Sequence, residues 1–334
     1  MTQPKPQAKY QSDDREILLG AFKWLFWRWM LPLIPRFISP NALTIFGNVC
    51  VVGSVPAMLL GTLGHHGWFL VSAALVFIYI TLDNLDGAHA RRTGRTSRLG
   101  ELLDHGLDGL ASGSLLLDGA IALHLDATFT TLLMVFGTVT YVLCMWEQYR
   151  TNVLVIPAVS GTEGVALVMI LAFLSFGFSD PPWMHFDTTK FSVSTGIMIF
   201  VVFGYASAMV PPLVRARKAG ADPSELGTSL LLLVLLALFP LIGGDALISG
   251  ALVATVGSDV GVRLVRLRQL ESEAPLLKTK RWFLLAPLLV ALAVRDPDVT
   301  HVCLLATTAL AASFFLAGLV RAAQELGAAS ASKA

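Results

Sequence analysis

Residues 37–82 read FISPNALTIFGNVCVVGSVPAMLLGTLGHHGWFLVSAALVFIYITL, a stretch without Asp, Glu, Lys or Arg. Gly61, Gly64, His65, His66 and Gly67 break it near its middle, leaving two apolar spans at 42–62 and 68–82. A helix needs about 20 apolar residues to cross a hydrocarbon core, so the stretch predicts a helical hairpin in a membrane. Uncharged windows recur at 127–146, 164–179, 191–214, 226–244 and 299–320. Two shorter windows, 246–258 and 282–294, become spans if their flanking charges reach the interface. Residues 99–117 are apolar apart from Glu101, Asp104, His105 and Asp108. The expectation is an all-α, polytopic integral membrane protein with ten transmembrane helices.

Composition over the 334 residues agrees, with 55% hydrophobic and 14% charged and a mean hydropathy of +0.69. Soluble domains carry about 25% charge, and a soluble fold of this length cannot hide so much apolar surface. A cytosolic enzyme, a disordered chain, a collagen and a disulfide scaffold are thereby excluded. The formal net charge of +1 implies no nucleic-acid partner. Cys50, Cys144 and Cys303 lie far apart in apolar runs and read as packed hydrophobes, neither a zinc set nor a disulfide frame.

Loop charge sets an orientation. With the N-terminus and the loops after even-numbered spans on one side, that side holds all but two of the 24 Lys and Arg residues, Lys190 and Arg295 being the exceptions. The positive-inside rule then places both termini in the cytoplasm. Ahead of the first span, Asp13 is expected to cap a helix over 14–30, where Trp24, Trp27 and Trp29 alternate with Lys23 and Arg28. Such a segment suits the membrane interface and lacks the pattern of a cleaved signal peptide.

The chemistry concentrates in residues 82–109, LDNLDGAHARRTGRTSRLGELLDHGLDG, which join the second span to the third. Asp83 and Asp86 stand i, i+3 on one helix end; Asp104 and Asp108 stand i, i+4 on the start of the next. If these helices pack antiparallel, four carboxylates meet near the membrane surface, where they repel one another. Multivalent cations relieve that repulsion, and an all-oxygen donor set favours Mg²⁺ or Mn²⁺. Two such ions form a template for phosphoryl chemistry. Gly87 and Gly100 leave room for a ligand or a neighbouring helix. Arg91, one turn beyond Gly87, offers a planar clamp for phosphate oxygens.

Asp83-x-x-Asp86-Gly87-x-x-Ala90-Arg91, eight residues, Gly100, three residues, Asp104, three residues, Asp108 resembles the full signature of the CDP-alcohol phosphotransferase family. The resemblance implies a membrane enzyme that cleaves a CDP-alcohol, releases CMP and passes the remaining phospho-group to a second alcohol. By the same resemblance Asp83, Asp86 and Asp104 hold metals, and Asp108 is a metal ligand, a general base, or both. Gly87, Ala90 and Gly100 line the nucleotide site, with Arg91 nearby. The Gly100–Asp108 run, Ser39-Pro40-Asn41-x-x-Thr44, Trp146-Glu147-Gln148-Tyr149 and Gly161-Thr162-Glu163-Gly164 are similar to the choline/ethanolamine phosphotransferase branch. That branch implies CDP-ethanolamine or CDP-choline and diacylglycerol as substrates, with the active site on the cytoplasmic face. Phosphatidyl transfer from CDP-diacylglycerol to a small polar alcohol is the alternative within enzymes. A divalent-cation transporter built on the same carboxylates is the alternative of another class.

Two groups compete as the base for the attacking alcohol: Asp108, and a Glu101–His105 pair at i, i+4. Asn41 can reach a phosphate or the metals from the first span, or serve as a turn residue after Pro40. Trp146 and Tyr149 suit a quaternary ammonium by cation–π contact or the ordinary aromatic belt. Glu163, opening the fifth span, suits the head-group amine or the cytidine pocket, or simply a helix N-terminus. The organisation expected is an N-terminal cytoplasmic and interfacial segment (1–40), a catalytic set of six spans (41–215), four C-terminal spans (216–325) and a disordered tail (326–334). The later helices are left to shape lipid access or a homodimer contact. Ala- and Leu-rich spans and compact loops lean toward a bacterial cytoplasmic membrane over the endoplasmic reticulum.

Overall fold

Helix boundaries follow from local side chains. Ser39 caps the first long helix, its Oγ accepting from the Ala42 amide, and Pro40 sits in the first turn where its missing N–H costs nothing. Gly94 ends the second in a left-handed conformation (φ 68°), with the Arg95 amide returning to the Ala90 carbonyl at 2.9 Å. Three residues later Ser97 caps the third, accepting from the Gly100 amide at 2.9 Å. Asp126 and Asp245 cap two later helices in the same way. A short connection, residues 94–97, leads from the second helix to the third.

The computed structural model describes residues 11–156, 161–178, 193–272 and 279–331. Ten helices of ten residues or more lie among them. They are α1 (Pro40–Thr62), α2 (Gly67–Thr93), α3 (Arg98–Ala122), α4 (Ala127–Thr151), α5 (Gly161–Phe178), α6 (Val193–Lys218), α7 (Ser224–Leu236), α8 (Ala246–Gln269), α9 (Leu285–Val294) and α10 (Pro297–Ala331). The chain is thus all-α and polytopic, and eight of these helices, α7 taken together with the 3-10 turn that carries it to Ile242, are long and apolar enough to cross a membrane, so the expected ten is not reached among the described residues. Helix α3 is too polar to count, carrying Glu101, Asp104, Asp108 and Asp118, and α9 has ten residues, about 15 Å of rise. Outward-facing Phe46, Val49, Phe200 and Phe203 are exposed, as lipid-facing side chains are. Helix α10 continues to Ala331, so the tail expected from 326 is helical over 326–331, where Ala favours helix. Lys190, Lys278 and residues 332–334 lie outside the described residues, as do residues 1–10.

Helix α8 lies at the centre, buried almost continuously from Ser249 to Gln269, and packs against α3, α4 and α10. It belongs to the C-terminal set of spans (216–325), for which lipid access or a homodimer contact was expected, and it is an interior helix. Its glycines and those of α3 explain how. A Cβ on Gly106 of α3 would lie 2.9 Å from Val262 Cγ2, and one on Gly250 of α8 would lie 2.9 Å from Leu117 Cδ2. Small residues let the two backbones approach closely, as membrane helices do.

The N-terminal segment differs from expectation. Residues Gln11–Asp14 form a strand, β1, paired in parallel with β2 (Val153–Ile156), Gln11 opposite Val153. The Asp13 carboxylate accepts from Arg15 Nε at 3.0 Å instead of capping a helix. Helical structure begins only at Leu19 and passes through a wide π-type turn at Lys23–Trp27. Its N-terminus is capped from a distance: the Leu18 amide donates to Glu163 Oε1 at 2.8 Å, while the Thr162 amide and hydroxyl donate to Glu16 at 2.8 and 3.0 Å. Two helix starts thereby exchange acidic caps. Burial pushes the Glu16 carboxyl above its usual range, and the bonds from Thr162 pull it back. Trp27 turns inward, its indole N–H 3.4 Å from Thr81 Oγ1, whereas Trp24 and Trp29 face outward with Arg28 over both rings. Glu163→Ala is expected to cost about 1 kcal/mol by orphaning the Leu18 amide. Faster tryptic cleavage at Arg15 and Lys23 in detergent is the readout, and an unchanged rate counts against the cap.

Candidate active site

Helices α1 and α5 each pack against both α2 and α3, so the end of α2 and the start of α3 face each other inside a four-helix frame. Asp83 from α2 and Asp104 and Asp108 from α3 meet there, each half-buried, with one carboxylate oxygen apiece within 4.8 Å of the others. This is the only such acidic or metal-ligand group among the described residues. Oxygens sharing one hard cation at about 2.0–2.6 Å lie no more than about 5 Å apart, so the three fit a divalent ion. Their all-oxygen chemistry suits Mg²⁺ or Mn²⁺.

The fourth carboxylate behaves differently. Asp86 is buried and accepts from the Thr44 hydroxyl of α1, and it does not join the other three at that spacing. Thr44 belongs to the Ser39–Thr44 motif, yet its partner was not foreseen. Asn41, one turn earlier, places Oδ1 3.3 Å from where a Cβ on Gly100 would sit, so Gly100 makes room for Asn41 and Ser97. A Cβ on Gly87 would lie 3.4 Å from Arg91 Nη1. Arg91 is exposed and Ala90 buried beside it. The next residue, Arg92, is the one that is anchored: it donates to the Leu31 and Ile34 carbonyls and lies 3.0 Å from His89 Nδ1.

His105 is buried, with Nδ1 3.7 Å from Asp108 Oδ2. The expected Glu101–His105 pairing gives way to another. Glu101 accepts from Arg268 and, at 2.9 Å, from Gln269 Nε2, both on α8. A guanidinium outcompetes a neutral imidazole for a carboxylate. Three other expectations are also redirected. Trp146 is fully buried and donates to Glu225 Oε2 at 2.9 Å, so it is neither an aromatic-belt residue nor open to a head group. Tyr149 donates to the Ser272 carbonyl at 3.1 Å, with the chain's own Arg150 4.8 Å over its ring. Glu163 caps the N-terminal helix. In each case a partner far along the chain claims the side chain.

Asp118 went unnoticed by sequence. It lies fully buried on α3, ten residues past Asp108, accepting from Ser54 at 2.5 Å. Its spacing from Asp104 and Asp108 returns to the same helical face, and an acid inside a span was the signal available.

Known proteins resemble this chain over part of its length. A family model described as CDP-alcohol phosphatidyltransferase matches residues 37–210. The Saccharomyces cerevisiae protein named cholinephosphotransferase 1 is 30% identical over 195 residues, covering 55% of this chain and 49% of that one. The rat protein of the same name is 32% identical over 194 residues, 56% and 48%. An Arabidopsis thaliana choline/ethanolaminephosphotransferase 1 is 32% identical over 174 residues, 50% and 44%. The chain spans about half the length of the curated relatives it matches. The family match takes in α1 to α5 and most of α6, with the whole acidic signature, and through it the chain belongs to the CDP-alcohol phosphatidyltransferase family.

Proposed function

We propose that the chain transfers phosphoethanolamine or phosphocholine from its CDP-alcohol to diacylglycerol, releasing CMP. The observation that carries this is the convergence of Asp83, Asp104 and Asp108 from the two helices of the signature. The names of the yeast, plant and rat relatives support the substrate class.

Asp83, Asp104 and Asp108 would hold one or two Mg²⁺ or Mn²⁺ ions, with Asp86 as the further carboxylate of the signature. Bound there, such ions neutralise the diphosphate and stabilise the departing CMP oxygen. Arg91, exposed beside Gly87, supplies positive charge to the phosphates. The lipid arrives laterally, hydroxyl first. Its oxygen attacks the β-phosphorus, the bond from that phosphorus to the bridging oxygen breaks, and CMP leaves. The proton goes to Asp108 or to His105, which face each other; Glu101, held by Arg268 and Gln269, is turned to α8. Arg91, Arg92, Arg95 and Arg98, clustered at the turn between α2 and α3, support a cytoplasmic face for this site. The eukaryotic relatives point to an endoplasmic-reticulum-type membrane rather than the bacterial one toward which composition leans.

The test offers purified chain CDP-choline, CDP-ethanolamine or CDP-diacylglycerol, with Mg²⁺, Mn²⁺ or chelator. Label from CDP-ethanolamine or CDP-choline is expected in lipid when diacylglycerol and a divalent ion are present, and chelator is expected to abolish it. Consumption of CDP-diacylglycerol alone would shift the reading to phosphatidyl transfer. Ion flux without CMP release would replace it with transport.

A further inference from the structure

Helix α8 ends beside the first turn of α3. Arg268 Nη2 donates to Glu101 Oε1, and Gln269 Nε2 donates both to Glu101 Oε2 at 2.9 Å and to the Arg98 carbonyl at 3.2 Å. The pair is sheltered, with the Arg268 side chain 6% and the Glu101 side chain 20% exposed, so water screens it weakly. Asp104 follows Glu101 by three residues and Asp108 by seven, so all three lie on one face of α3.

Other contacts set the remaining freedoms of α3. Gly106 seats against Val262, Gly109 against Ser258 and Tyr141, and Gly113 against Ala254. The Tyr141 hydroxyl donates to the His105 carbonyl at 2.9 Å. The glycine contacts resist rotation and tilt. The fork from α8 adds a polar tie between helices at the first turn of α3, one turn ahead of Asp104.

We infer that Arg268 and Gln269 are positioning residues for the carboxylates of the site, acting through Glu101 and the Arg98 carbonyl to hold α3 in register against α2. The inference rests on the proposed metal-dependent reading. It makes the second half of the chain, outside the residues matched by the family model, part of the working site. Direct hydrogen-bond partners of metal ligands are worth about 10–100-fold in metal affinity, and support acting one residue further out is set at the lower end of that range.

The experiment uses the full chain in detergent and Mn²⁺ alone as probe, following free Mn²⁺ by electron paramagnetic resonance. Arg268→Ala is expected to weaken Mn²⁺ binding about tenfold and to raise the half-saturating Mn²⁺ for CMP release by the same factor. KM for the CDP-alcohol at saturating Mn²⁺ is expected to stay within about twofold, because substrate contacts are untouched. Arg268→Lys keeps the charge without the fork and is expected to fall between wild type and Arg268→Ala. Arg266→Ala is the control: Arg266 lies two residues away but pairs with Glu325 of α10, and wild-type Mn²⁺ binding is expected. Equal binding by wild type and Arg268→Ala, or an equal loss in Arg266→Ala, overturns the inference. If Arg268→Ala does not fold, Arg268→Lys and Gln269→Ala decide the question, and wild-type binding in both overturns it. A wild type that binds no Mn²⁺ sinks the proposed function along with this inference; a wild type that binds while Arg268→Ala matches it sinks this inference alone.

Discussion

Asp108→Asn is expected to lower divalent-ion-dependent CMP release by about three orders of magnitude or more, roughly 4 kcal/mol of transition-state stabilisation. The carboxylate stands in two relationships at once. It shares the space between α2 and α3 with Asp83 and Asp104, and it faces His105 Nδ1 at 3.7 Å. An amide preserves the shape but removes a negative charge from the group that attracts a cation and weakens the partner of the imidazole. Saturating metal offsets the first loss; the second falls on the chemical step, so saturating metal and substrate are not expected to restore the rate. The measurement is CMP release by equal amounts of folded wild type and variant at saturating Mn²⁺. Activity within tenfold of wild type would refute a reaction centred on this carboxylate.

Gly109→Val is expected to have the second-largest effect, by a different route. A Cβ at Gly109 would come within 2.7 Å of Tyr141 Cε1 and would also collide with Ser258 of α8. A rigid tyrosine ring on one side and a helix on the other leave the added atoms nowhere to go. Overpacking of this kind costs about 1–3 kcal/mol, and a displacement of about 1 Å at the carboxylates costs a further factor of about 10² in rate. Gly119→Val on the same helix is the contrast, because nothing lies within 4 Å of its added Cβ. Thermal unfolding and CMP release of the two variants, compared in detergent, separate them. Equal behaviour would mean that the α3–α8 contact does not set the geometry of the site.

Local spacing made the central features legible. Uncharged windows marked helices one by one, because a helix crossing lipid must be apolar along a continuous stretch. Asp83, Asp104 and Asp108 could be read as neighbours because a short loop returns the chain and the helical period puts the acids on inward faces. What stayed illegible depended on partners distant in sequence. Nothing near Glu101 announces Arg268, 167 residues away. Trp146 looks like an interfacial aromatic until Glu225 is brought beside it, and Glu147, 2% exposed, is likewise taken by Arg215 of α6. The start of the interfacial helix failed for the same reason. Asp13 has the chemistry of a cap, but pairing of β1 with β2 gave its backbone another partner, and the cap came from α5.

The interior position of α8 bears on how small a working catalyst can be. A fragment ending after α6 would keep every motif of the signature, yet it would strip the glycine-lined side of α3 of its packing partner and leave Glu101 without Arg268 and Gln269. Shortening this protein to its motif-bearing part therefore does not yield a minimal enzyme; the acids would survive on paper while the helix that displays them lost its backing.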